Sequence, residues 1–67
     1  MIIDFEDYNG YYIASMIADE LPDLMDYITI KTSNHEYSGK VINIEKKYNT
    51  AKDSIKAIVR IDYIIPR

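Results

Sequence analysis

The chain of 67 residues has no cysteine and no tryptophan, one phenylalanine, one histidine, two glycines and two prolines. Without cysteine, no disulfide can staple the fold and no thiolate can hold a metal. A single His would leave Asp and Glu to supply nearly all the ligands of zinc or copper, a donor set those metals rarely accept, so no cofactor is expected. The chain also lacks a Gly-rich phosphate loop, a nucleophile elbow and any metal-ligand spacing. His35 stands beside Glu36 with Ser33 and Ser38 nearby, but a general base needs a nucleophile or a substrate pocket around it. The expectation is a protein that is not an enzyme. No apolar run approaches transmembrane length, so no membrane partner is expected. Residues 1–26 lack the basic start and unbroken apolar run of a signal peptide. An intracellular, cytoplasmic setting is therefore expected, which for a viral chain means the host cytoplasm; the missing cysteine agrees with it.

What is present is a dense apolar content. Hydrophobic residues make up 48% of the chain, enough to predict folding rather than disorder. Length allows one domain, residues 1–67. A core of that size rarely supplies more than about 3–5 kcal/mol unless it is stapled or assembled. With stapling excluded, self-association into a homo-oligomer is expected. Seven Tyr cannot all be core in so short a chain, and several should sit at an interface, where an apolar ring and a polar hydroxyl are both useful. The bias toward Ile, Lys, Asp, Asn and Tyr suggests an AT-rich genome, such as that of a low-GC bacterium or one of its viruses.

Charge is divided along the chain. Residues 1–26 hold Asp4, Glu6, Asp7, Asp19, Glu20, Asp23 and Asp26 and no Lys or Arg. Residues 27–67 hold all eight Lys and Arg against Glu36, Glu45, Asp53 and Asp62. Such asymmetry fits a surface for nucleic acid or an acidic partner, or an acidic helix docked on a basic sheet within or between subunits. The second is preferred, because opposite charges in a small chain tend to neutralise one another.

Phe5, Tyr8, Tyr12 or Ile13, Met16 or Ile17, and Leu21 or Leu24 recur at helical spacing and predict an N-terminal helix that Pro22 ends. Gly10 is unfavourable inside it, so the helix starts either near Phe5 or after Asn9–Gly10. Residues 1–5 read as a strand stub or a lead-in, and residues 22–26 as a short helical turn. Ile28 and Ile30 alternate with Thr29 and Lys31, predicting a strand over 27–32. A turn at 32–35, a second strand over 37–47 and a polar loop at 48–53 follow. Gly39 marks a bulge or a close backbone approach, and the adjacent Val41 and Ile42 mark a bend. Residues 54–65 form the best-patterned strand, with Ile55, Ala57, Val59, Ile61, Tyr63 and Ile65 on one face. The predicted class is α+β: an acidic, mainly helical part (1–26) packed on a small, curved antiparallel sheet of three or four strands (27–67, basic), SH3-like in topology. Its open strand edges invite pairing with another chain.

Three patterns are candidate sites. Asp19, Asp23 and Asp26 lie at i, i+4 and i+7 beside Glu20, which would place four carboxylates on one helical face. Taken alone the pattern reads first as a solvated face; as a candidate site it is a protein-binding surface able to mimic phosphates, and no EF-hand spacing supports a metal. Lys40, Lys46, Lys47, Lys52 and Lys56 surround Tyr48, a mixture able to hold single-stranded nucleic acid or to discourage edge aggregation. Residues 38–49, SGKVINIEKKYN, and residues 59–64, VRIDYI, carry the third pattern. The first segment keeps a Gly, an aliphatic at 44 and an Asn at 49, with Glu45 for Asp and Tyr48 for Met; the second keeps the Arg but not the Gly. Together they resemble the two motifs of Sm/LSm proteins. That resemblance implies a ring in which Asn49 and Arg60 contact a single-stranded RNA base and Lys47 stacks. The leading functional expectation is a small binding protein that self-associates and works by contact with a protein partner, an accessory or inhibitor of the kind phages and mobile elements encode. The alternative is an oligomeric, Sm-like binder of single-stranded RNA or DNA through Lys47, Tyr48, Asn49 and Arg60.

Overall fold

One strand long enough to serve two faces of a curved sheet sets the architecture. The computed structural model describes residues 1–66. Its five strands are β1 (Ile2–Glu6), β2 (Tyr12–Ile17), β3 (Tyr27–Lys31), β4 (Glu36–Asn49) and β5 (Ser54–Ile61). The first part of β4 pairs with β3, Tyr27 opposite Lys40 and Lys31 opposite Glu36. The rest pairs with β5, from Val41 opposite Ile61 to Asn49 opposite Ser54, and the register slips between Val41 and Asn43. The slip is a bulge, which bends a strand and raises its twist. It falls at the adjacent apolar pair Val41–Ile42. Gly39 is instead a close approach: a Cβ there would stand 2.5 Å from Asp62 Oδ1.

The order across the sheet is β2-β1-β5-β4-β3. All pairs are antiparallel except β1 with β5, which run parallel. The sheet curls into a nearly closed barrel, leaving β2 and β3 as its two edges. Strand alternation fills the interior. Ile3 and Phe5 of β1, Ile30 of β3, Val41 of β4, and Ala57, Val59 and Ile61 of β5 are buried together. Beyond Ala57 the β4–β5 ladder continues as an arm that outruns this core. The radius of gyration is 12.0 Å, against about 11 Å for a compact chain of this length, and the longest dimension is 37 Å.

The predicted α+β class is corrected: the described residues contain no helix, and the fold is all-β. The sheet is small and curved, but it has five strands with one parallel pair rather than three or four antiparallel ones, and residues 1–26 supply two of those strands rather than an acidic helix. Asp7 and Gly10 explain why. Asp7 is fully buried, and its Oδ1 accepts the backbone N–H groups of Asn9 and Tyr11 at 2.9 and 2.8 Å. Gly10 adopts a left-handed φ of 85°, which glycine takes without a steric penalty. The chain therefore reverses at residues 7–11, and β2 returns along β1. No helical turn forms at 22–26 either; Met25 takes a φ of 73°, and its N–H donates to the Val41 carbonyl at 2.8 Å. Among the described residues no helix is long and apolar enough to cross a membrane.

Candidate functional site

The two edge strands face one another across the seam where the barrel fails to close. A cleft of about 340 Å³ runs along it. Ile3 and Phe5 form the floor, Ala14, Met16 and Ala18 the β2 wall, and Ile28 and Ile30 the β3 wall. Glu20 and Lys31 stand at its rim. Each wall is a strand with a neighbour on one side only, so its free edge carries backbone donors and acceptors with no strand to meet them. The β2 sequence, YIASMI, contains no charge and no proline, the two devices that usually blunt an edge. Met1 and Ala18 exchange backbone hydrogen bonds at 3.0 Å in both directions. By the alternation of antiparallel pairing, Ser15 and Ile17 then turn their N–H and C=O toward the open side.

The outer face of the sheet is held by charge. Asp4 accepts the Ser15 hydroxyl at 2.5 Å and the Lys56 ammonium at 2.9 Å. These contacts, the Ser15 hydrogen bond first and Lys56 next, hold the Asp4 carboxyl below its ordinary value. Tyr12 shares a hydrogen bond with Ser15 at 2.8 Å. One strand position along, Arg60 Nη2 donates to Glu6 Oε1 at 3.0 Å and lies under Gly10.

Asp19, Glu20, Asp23 and Asp26 lie on the exposed connection between β2 and β3, not on a helical face. Asp26 Oδ2 accepts the backbone N–H of Asp23 at 3.0 Å. Among the described residues no ion pair reaches these four carboxylates, and no acidic cluster is placed to hold a metal. Lys47, Tyr48 and Asn49 sit together on the β4–β5 arm. Arg60 does not join them: it pairs with Asn43 while Asn49 pairs with Ser54, a separation of about 20 Å along the ladder. Tyr48 also points to the sheet face opposite Lys47 and Arg60.

The cleft itself lies outside every predicted site. Its one signal in the sequence is residues 12–17, an uncharged stretch just after Asn9–Gly10, the dipeptide that most often marks a hairpin. Comparison with protein-family models, with curated proteins and with solved structures finds no match to this chain.

Proposed function

We propose that this chain is a non-enzymatic binding protein that self-associates and acts through protein–protein contact, with the β2–β3 cleft as its working surface. One observation carries the reading: two unpaired strand edges, one of them uncharged, line a single apolar cleft. An extended segment of a partner can meet such an edge with backbone hydrogen bonds and fill the cleft with alternate side chains. The surface inventory supports it. Among the described residues seven hydrophobic side chains are buried, while thirteen large ones are exposed, including Tyr12, Met16 and Ile17 on β2. A cytoplasmic accessory or inhibitor protein that docks on another protein would use a surface of this kind.

The test is selection of peptides from a displayed random library on the immobilised protein, repeated with Met16→Lys. Met16 is half exposed at the cleft, and a lysine on an edge strand discourages strand addition. Peptides with alternating apolar residues should be enriched and should lose binding to the variant. No enrichment, or equal binding to both proteins, overturns the reading.

A second reading, binding of single-stranded RNA or DNA by an Sm-like assembly, has one observation in its favour. Among the described residues Lys46, Lys47 and Lys52 make no ion pair, and they lie close in sequence to the exposed Tyr48, a mixture suited to phosphate contacts and base stacking. Fluorescence anisotropy of a labelled oligouridine at low salt decides it: binding weakened by Lys47→Glu is expected, and no binding ends the reading.

A further inference from the structure

We infer that the cleft is filled by the β4–β5 arm of a second copy of this chain, so that copies join arm to cleft. The inference rests on the cleft being a protein-binding surface and names its occupant. The arm consists of the three ladder pairs beyond Ala57, namely Lys47 with Lys56, Tyr48 with Ile55 and Asn49 with Ser54, and the turn at 50–53. It reaches about 10 Å past the core before the turn is counted. The cleft wall from Ala14 to Ala18 has a similar length, about 13 Å.

Arm and cleft are complementary in kind as well as in size. Tyr48 and Ile55 are cross-strand partners on one face of the arm, 68% and 43% exposed. Side chains so placed have no core of their own to enter, and the cleft between β2 and β3 is apolar. Around them the arm and its base carry Lys46, Lys47, Lys52 and Lys56 against Glu45 and Asp53. Lys56 is engaged by Asp4, which leaves three lysines without a carboxylate partner among the described residues. The connection that borders the cleft, residues 18–26, carries Asp19, Glu20, Asp23 and Asp26 and no base. Within one chain the two sets do not meet, since the three ion pairs among the described residues join Lys31 to Glu36, Lys56 to Asp4 and Arg60 to Glu6. Charges left unmatched in each copy can be matched between copies.

Each copy offers one arm and one cleft, and both are used when copies link in series or when two copies exchange arms across a twofold axis. In series the product is a ring if the rotation closes and a chain if it does not. Screening follows too, because exposed charges separated by solvent weaken as salt shortens the Debye length to about 8 Å at physiological strength.

Charge reversal with mixing tests the inference. One variant carries Asp19→Lys, Glu20→Lys and Asp23→Lys; the other carries Lys46→Glu, Lys47→Glu and Lys52→Glu. All six side chains are exposed, so both variants should keep the wild-type β-sheet circular dichroism. Sedimentation of the wild type at about 100 µM, a concentration that populates even weak contacts, should show mass rising above the monomer and falling with salt. Each variant alone should be monomeric, and an equimolar mixture should assemble again. Tyr48→Ser in the wild-type background should weaken assembly about tenfold or more. A monomeric wild type, assembly by either variant alone, or a mixture that stays monomeric overturns the inference. Peptide selection on the wild type reads the cleft separately: a monomer that still enriches Met16-dependent peptides loses the arm as occupant and keeps the binding surface, whereas a monomer that enriches none loses both.

Discussion

Asp7 and Ile65, 58 residues apart in sequence, are joined by a hydrogen bond from the Ile65 N–H to Asp7 Oδ2 at 3.1 Å. The same carboxylate receives Asn9 and Tyr11 on its other oxygen. Beside it the Tyr8 N–H donates to the Tyr63 carbonyl at 2.7 Å. One buried side chain thus closes the β1–β2 turn and ties down the segment after β5.

Removing it should be among the most damaging single changes in the chain. Asp7→Ala leaves three backbone donors without their acceptor inside the protein, and a fall in stability of about 2–4 kcal/mol is expected. Asp7→Asn keeps one acceptor oxygen and should lose about half as much. Urea denaturation followed by circular dichroism measures both. Equal losses for Ala and Asn would mean that charge, not acceptor geometry, carries the contact.

Gly39 and Asp62 meet at the second long-range tie. The Lys40 N–H donates to Asp62 Oδ1 at 2.7 Å, and the Asp62 N–H returns a bond to the Lys40 carbonyl at 3.0 Å. A Cβ on residue 39 would collide with that same Oδ1. Gly39→Ala should therefore displace the Asp62 side chain and cost about 1–3 kcal/mol. In Asp62→Ala the clash is gone, so the double variant should be more stable than additivity predicts. Additive losses would place the strain at the Tyr63 and Asp62 backbone nitrogens, 3.3 and 3.4 Å from that Cβ.

The strands of the second half were legible because period-two alternation and burial coincide there. Ile30, Ala57, Val59 and Ile61 are buried as their spacing requires, and Val41–Ile42 marks the bend. In the first half, spacing misleads. Of Phe5, Tyr8, Tyr12, Met16 and Ile17, which suggest a helix, only Phe5 is buried. Ala14, Ser15 and Met16 tolerate a helix by propensity, but pairing with β1 decides their state. Asn9–Gly10, read as a weak point in a helix, is part of a hairpin turn. Asp19, Glu20, Asp23 and Asp26 consequently lose the shared helical face that their spacing implied. The cleft was illegible for a different reason. It lies where the sheet stays open, and that place depends on β1 running parallel to β5 across more than fifty residues. No local pattern announces such a pairing.

Acid should loosen the outer face. The Asp4 carboxyl titrates below its ordinary value in the folded chain, through the Ser15 hydroxyl first and Lys56 next. A lowered folded-state value means that the charged form stabilises the fold. That contribution is complete above the unfolded value, about pH 4, and is lost as pH falls through the lower folded value. Thermal melts between neutral pH and pH 2 should show the loss in the wild type, and Ser15→Ala should show a smaller one because the leading contact is gone. An unchanged acid limb in Ser15→Ala would remove Asp4 as its source.

Arg60 is the residue on which the structural and nucleic-acid readings part. Its guanidinium is bonded to Glu6 at 3.0 Å and lies 3.2 Å from where a Gly10 Cβ would stand. Its Nε is buried without a hydrogen-bond partner among the described residues. Its side chain is about a third exposed, so screening limits the ion pair to about 0.5–1 kcal/mol, and packing of the stem adds to that. Arg60→Ala should therefore lower stability by about 1–2 kcal/mol. A cycle with Glu6→Gln should return a coupling of about 0.5–1 kcal/mol. Oligouridine affinity separates the readings: a structural Arg60 leaves it unchanged where the variant is still folded. A loss of affinity without any loss of stability would return Arg60 to the nucleic-acid surface and leave Glu6 as its competitor.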